Sequence, residues 1–130
     1  MRFMMLVIPK GYESAPPDAM PDPALVAAMM KYNESLQKAG VLLELNGLMP
    51  PSTGARVTFP GGKPKVTDGP FAEAKEVVGG YWMIQVNSLQ EAIDWAKKCP
   101  ATENETIEIR KIRGAEDMSQ KMRDVLEGKE

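Results

Sequence analysis

Val77-Val78-Gly79-Gly80-Tyr81-Trp82-Met83-Ile84-Gln85-Val86-Asn87-Ser88-Leu89-Gln90-Glu91-Ala92-Ile93-Asp94-Trp95-Ala96-Lys97-Lys98 changes its periodicity at Asn87. Up to Val86 the side chains alternate, with Trp82, Ile84 and Val86 on one face and Tyr81, Met83 and Gln85 on the other, as in a strand. Ser88 and Glu91 then form a capping box, and Leu89, Ala92, Ile93 and Ala96 recur at helical spacing. The reading is a strand over Val77 to Val86 followed by a helix through Lys98, ended by Cys99-Pro100.

The rest of the chain is read outward from this unit. Phe3 to Ile8 is an unbroken apolar run closed by Pro9, which predicts a central strand buried on both faces. Gly11 to Pro23 carries Pro16, Pro17, Pro21 and Pro23 and is a loop long enough to cover a site. Asp22 is placed to cap a helix, Pro23 suits its first position, and Leu25, Ala28, Met29, Tyr32, Leu36 and Ala39 form its stripe until Gly40 stops it. Val41 to Leu48 is a second strand, interrupted by Glu44. Ala55 to Phe59 and Lys63 to Thr67 flank Pro60-Gly61-Gly62 as a hairpin. Thr106 to Ile112 alternates again, with Ile107 and Ile109 opposed to Thr106, Glu108 and Arg110. Gly114 to Glu130 is charged and helix-prone, with Met118, Met122, Val125 and Leu126 at helical spacing and fraying expected after Leu126.

This order predicts an α+β fold: a ferredoxin-like βαββαβ unit with an extra hairpin and an antiparallel sheet carrying both helices on one face. The helices leave the second face uncovered. A second copy of the same sheet is the expected cover, so burial alone predicts a homodimer. The expected division is a domain over residues 1–113 and a helical tail over 114–130, packed on the domain or on a partner subunit.

Composition bounds the chemistry. The 130 residues are 43% hydrophobic and 26% charged, the profile of an ordinary soluble globular protein of one domain. Lys and Arg number 16 against 18 Asp and Glu, which argues against nucleic acid as a partner. No apolar run approaches the length of a membrane span or of a signal peptide's core, so a cytoplasmic location is expected. The single cysteine, Cys99, fits a reducing compartment and cannot build an internal disulfide or a zinc site. The chain has no histidine, which removes Ser-His and Cys-His pairs, histidine-ligated metals and the easiest general base near neutral pH. Most of the ten methionines sit at core-like spacing. Gly61-Gly62-Lys63 lacks the other residues of a phosphate loop and is read as a turn.

The densest cluster of reactive groups follows the hairpin. Asp68 stands before Gly69-Pro70, and Glu73, Lys75 and Glu76 come within eight residues of it. Carboxylates gathered around one Lys can separate their proton affinities into an acid and a base. Asp before Gly-Pro is equally a routine turn residue that caps its own backbone. Tyr81, Glu108, Arg110 and Glu44 are polar groups on predicted strands, and Arg110 would offer a fork to a carboxylate or phenolate ligand. Glu108 and Arg110 also suit an interface ion pair. An Asp68, Glu73 and Glu76 set is the one credible carboxylate site for a divalent metal, and Lys75 among them argues for internal neutralisation instead. No metal and no cofactor is expected.

Asp68-Gly69-Pro70-Phe71, with Glu73, Lys75-Glu76 and Gly79-Gly80-Tyr81, resembles the DGPF-domain proteins, a branch of the YCII-related family. Ala39-Gly40-Val41, Leu48 before Pro50-Pro51, Glu91 to Ala96, Cys99-Pro100 and Glu108-Ile109-Arg110 extend the resemblance over about residues 1 to 113. It implies a ferredoxin-like, dimeric α+β barrel. For the wider family it implies an enzyme working through a His-Asp pair in a pocket, with one branch linked to removing halide from chlorinated hydroquinones. Asp68 matches the aspartate, and the histidine has no counterpart. The expectation is therefore a small-molecule pocket at Asp68, supported by Glu73, Lys75, Glu76, Tyr81 and Arg110, for acid/base or lyase-type chemistry without histidine. The alternative is a non-catalytic regulatory or accessory module for a protein partner, such as an extracytoplasmic-function sigma factor system. Whether the chain is an enzyme is left open between them.

Overall fold

The computed structural model describes residues 1–71 and 76–129. Strands β1 (Arg2–Pro9), β2 (Leu42–Gly47), β5 (Gly80–Gln85) and β6 (Glu105–Lys111) form one antiparallel sheet in the order β2-β5-β1-β6. Helix α1 (Pro23–Lys38) joins β1 to β2, and α2 (Leu89–Lys97) joins β5 to β6. This is the ferredoxin-like βαββαβ plan. The extra hairpin, β3 (Ala55–Thr58) with β4 (Lys65–Asp68), forms a separate two-stranded sheet. A short helix, α3 (Gln120–Leu126), follows in the tail.

The local signals act as their chemistry dictates. The Asp22 carboxylate accepts from the Ala24 N–H at 3.0 Å, opening α1 beside Pro23. Gly40, at φ 73°, turns the chain out of that helix in the left-handed conformation. Ser88 Oγ accepts from the Glu91 N–H at 3.1 Å, and the Glu91 carboxylate reaches back to the Asn87 N–H at 2.9 Å. That pairing occupies two of the donors a helix start leaves free.

The core lies between the helices and one face of the sheet. Phe3, Met5, Trp82 and Ile84 meet Tyr32 and Leu36 of α1 and Ala92 of α2, all buried. Trp82 and Tyr32 pack edge to face at 5.4 Å between ring centroids. Their polar tips are satisfied inside: Trp82 Nε1 donates to Asn33 Oδ1 and the Tyr32 hydroxyl to the Trp95 carbonyl, both at 2.7 Å.

Three expectations need correction. β1 is buried on the helix face only, since Met4, Leu6 and Ile8 point to the other face and remain half-exposed. β5 begins at Gly80 rather than Val77. Its register with β1 ends at Val7↔Gly80, although the Gly79 N–H still donates to the Val7 carbonyl at 2.7 Å, and the Pro9 ring leaves no room for a side chain at position 79. Methionines are not mostly core: Met5 is fully buried, whereas Met20, Met30 and Met49 are exposed.

Cys99 lies half-buried with its Sγ 3.9 Å from Met29 Sδ. Burial, helped by the Glu105 charge, pushes its thiol up to about 11 from an ordinary 9.0. Below about pH 9 the thiol is protonated in both folded and unfolded chains, and its preference for the folded state is fully present. That preference is lost as pH rises toward 11, because unfolding then releases a proton. Denaturant titrations at about pH 8 and about pH 10 should show a larger loss of stability in the wild type than in Cys99→Ala. Equal losses would remove Cys99 from this role.

Candidate functional site

The sheet face opposite the helices carries two rows of side chains fixed by strand register. One runs Glu44, Met83, Met4, Arg110, and the next runs Asn46, Tyr81, Leu6, Glu108. A one-residue irregularity between Leu42 and Glu44 moves Glu44 and Asn46 onto this face while Leu42 stays opposite Ile84 on the core side. At the β2 edge the Tyr81 hydroxyl donates to Glu44 Oε1 at 2.9 Å. Asn46 Nδ2 donates to the same carboxylate oxygen at 3.2 Å and to the Tyr81 hydroxyl at 3.1 Å. At the β6 edge Arg110 stands 3.5 Å from Glu108 Oε2, with both side chains largely exposed. Half-exposed Met4, Leu6 and Met83 lie between.

The face thus holds the Glu44 carboxylate with its Tyr81 and Asn46 partners at one edge, the Arg110–Glu108 pair at the other and an apolar strip in the middle. Chemically, Glu44, Tyr81 and Asn46 together offer hydrogen-bond donors and acceptors to a polar ligand. Tyr81 and Arg110 therefore share a face, as do Glu44 and Glu108. Asn46 carried no signal in the sequence beyond its place two residues after Glu44.

Asp68 lies elsewhere, exposed at the end of β4 and paired in register with Ala55 on the separate hairpin. The hairpin base is locked to the turn at Pro51–Thr53. The Gly69 N–H donates to the Gly54 carbonyl at 2.9 Å, and a Cβ at Gly69 would meet the Pro51 carbonyl oxygen at 1.7 Å. The following Phe71 ring faces the Arg56 guanidinium at 4.1 Å. Glu73 and Lys75 lie outside the described residues. Glu76 lines a polar cavity of about 340 Å³ with Lys10, Glu103, Asn104 and Thr106, at the end of β1 and β6. Among the described residues, no group of three or more His, Cys, Asp or Glu is placed to hold a metal ion.

Because Asp68 is exposed, Asp68→Asn should lower stability by about 1 kcal/mol or less. Thermal melts of both proteins measure this. A loss well beyond that figure would mark the carboxylate as a structural anchor of the turn.

A third feature lies on the helix side. α1 and the β2/β5 edge flank a largely apolar cavity of about 350 Å³ that is open to solvent, with Leu25 and Met29 of the helix and Val7 and Trp82 of the sheet among its walls. The long loop before α1 contributes Pro21 to that lining. It is fastened by the Tyr12 hydroxyl to the Leu48 carbonyl at 2.6 Å and by Ser52 Oγ to the Ala15 carbonyl at 3.3 Å.

A four-stranded antiparallel sheet with two helices on one face and a polar-edged open face on the other defines a ferredoxin-like α+β protein. Within that class the chain belongs to the YCII-related family, whose domain model matches residues 1–116. A curated relative, an uncharacterized protein of Rhizobium meliloti (strain 1021), is 40% identical over 73 residues, covering 56% of each chain. This chain therefore spans just over half the length of that relative. Among the described residues, no helix is long and apolar enough to cross a membrane.

Proposed function

We propose that the protein is a cytoplasmic homodimer that binds a small molecule at the seam between two facing sheets. The observation that carries this reading is the charge layout of the open face. Consider a two-fold axis running along the strands between two such faces. It sets the β2 edge of one copy against the β6 edge of the other while keeping each row level. Arg110 then lies opposite Glu44, Met83 opposite Met4, and Asn46 opposite Glu108. Leu6 lies opposite Tyr81, and each contact occurs twice, as a self-complementary interface requires. The half-exposed Met4, Leu6 and Met83 would be buried in the middle.

In this arrangement each seam end joins Glu44, Tyr81 and Asn46 of one copy to Arg110 of the other. Such a set can hold a hydroxylated or carboxylated small molecule and exchange a proton with it through Tyr81 and Glu44, giving acid/base or lyase-type chemistry without histidine. Asp68 is proposed as a separate ligand-anchoring carboxylate, with Glu73 and Lys75 near it in sequence and Glu76 in its own polar cavity.

A second reading is favoured by the hairpin. Val57, Phe59 and Val66 are all more than half exposed on its two strands and the adjoining turn, which suits a non-catalytic module docking on a protein partner. Sedimentation at micromolar concentration tests the first reading. A species of twice the 14.3 kDa chain mass is expected, and only a single-chain species would overturn it.

A further inference from the structure

The helix-side cavity is unaccounted for by the seam. Its walls are mostly apolar, Asn33, Asn46 and Tyr81 also line it, and no charged residue does. The residues at its mouth are unusual for a surface helix. Val26 and Met30 fall outside the inward stripe of α1 and are 39% and 61% exposed, and Leu45 across from them is 37% exposed. Apolar side chains in those positions do nothing for the core, yet all three line this space. Gly47, Gly79 and Gly80 contribute only backbone to the β-edge wall, which leaves room beside it.

One polar side chain on the helix wall is oriented by the core. Asn33 lines the cavity, and its Oδ1 is committed to the Trp82 indole N–H at 2.7 Å. With the oxygen held there, the amide Nδ2 is the group left to serve a ligand, and it can only donate. The volume, about 350 Å³, is a little over twice the roughly 150 Å³ in which an apolar cavity holds benzene. Two fused rings, or one ring with a short chain, fill such a space. An ionised ligand would lose its water with no countercharge in return.

From this we propose that the cavity between α1 and the β2/β5 edge is a binding site for a neutral, ring-sized apolar molecule bearing one hydrogen-bond acceptor, which Asn33 Nδ2 engages. The cavity belongs to a single chain. Asn46 and Tyr81 of the seam also belong to its lining, but the site does not need the dimer and remains in a chain made monomeric by Arg110→Glu.

The test uses 2-acetylnaphthalene, a neutral two-ring ketone, against 2-naphthoate, which has nearly the same shape and a charge. Trp95→Phe leaves Trp82, in the cavity wall, as the lone tryptophan reporter. Saturable quenching of Trp82 by the ketone is expected, with naphthoate binding weaker by at least about tenfold. Met30→Glu, at an exposed position, should weaken ketone binding several-fold, and Met30→Lys should narrow the gap by favouring naphthoate. The sedimentation mass should be unchanged in both variants. Absence of saturable quenching, equal affinity for the two probes, or indifference to both Met30 variants would each overturn the proposal. So would a change of sedimentation mass in Met30→Glu, which would make this mouth a protein interface.

Discussion

Arg110→Glu is expected to leave the chain monomeric at concentrations where the wild type is a dimer, and Glu44→Lys on the same background is expected to restore the dimer. The reasoning is geometric. With the two-fold axis along the strands, each Arg110 faces Glu44 of the other copy, so one substitution creates two like-charge encounters across the interface. Coupling energies for close charge pairs across protein interfaces run from about 1.5 to 7 kcal/mol, and repulsion of this order at two places should raise the dissociation constant at least a hundredfold, roughly 3 kcal/mol. The intrachain contact from Arg110 to Glu108, at 3.5 Å between largely exposed groups, contributes little to folding. The chain should therefore stay folded while it loses its partner. Sedimentation of wild type, single and double variants reads the outcome. An intact dimer in Arg110→Glu, or a double variant no better than the single, would remove this pairing.

Gly69→Ala is expected to cost about 3 kcal/mol of folding stability, the upper end of the usual cost of overpacking. The added Cβ would stand 1.7 Å from the Pro51 carbonyl oxygen and 2.6 Å from its carbonyl carbon. These are backbone atoms of a turn that also holds Ser52 and Thr53 by hydrogen bonds, so they cannot swing aside as a flexible side chain would. Denaturant titration measures the loss, and a variant within about 1 kcal/mol of the wild type would mean the turn yields freely. The result bears on the reading of the tetrapeptide. Asp68-Gly69-Pro70-Phe71 invites a catalytic interpretation, yet its glycine has a packing reason to be there: the hairpin closes against the Pro51 turn only if position 69 has no side chain.

Much of the architecture was legible because it depends on short-range patterning. Ser88 and Glu91 marked the start of α2, Asp22-Pro23 the start of α1, and the alternation from Tyr81 to Gln85 sorted the β5 side chains between faces. Each of these is set by neighbours within a few residues. Boundaries that depend on distant partners were read less well. β5 starts at Gly80, where its register with Val7 of β1, a distant partner in the chain, ends. The methionines were assigned to the core from spacing alone, and spacing does not say whether a second layer exists to cover them.

The amino-acid sequence by itself determined the order of elements, most of the core-facing stripe of each helix (Leu89, expected inward on α2, is exposed), the exclusion of histidine chemistry and the family. The first three follow from composition and local periodicity, which persist wherever the chain goes, and the family from a match of motifs along the chain. The tertiary structure alone decided which polar groups meet. Tyr81 lies 35 residues from Asn46 and 37 from Glu44, and it meets them only because β2 pairs with β5 in one register. Asp68, close to Tyr81 in sequence, ends a hairpin in a different sheet. The cavity beside Trp82 depends on the gap between α1 and the β2/β5 edge, where Asn33 is turned by an indole 49 positions away. Strand pairing and packing act across such separations, and no pattern along the chain encodes them one residue at a time.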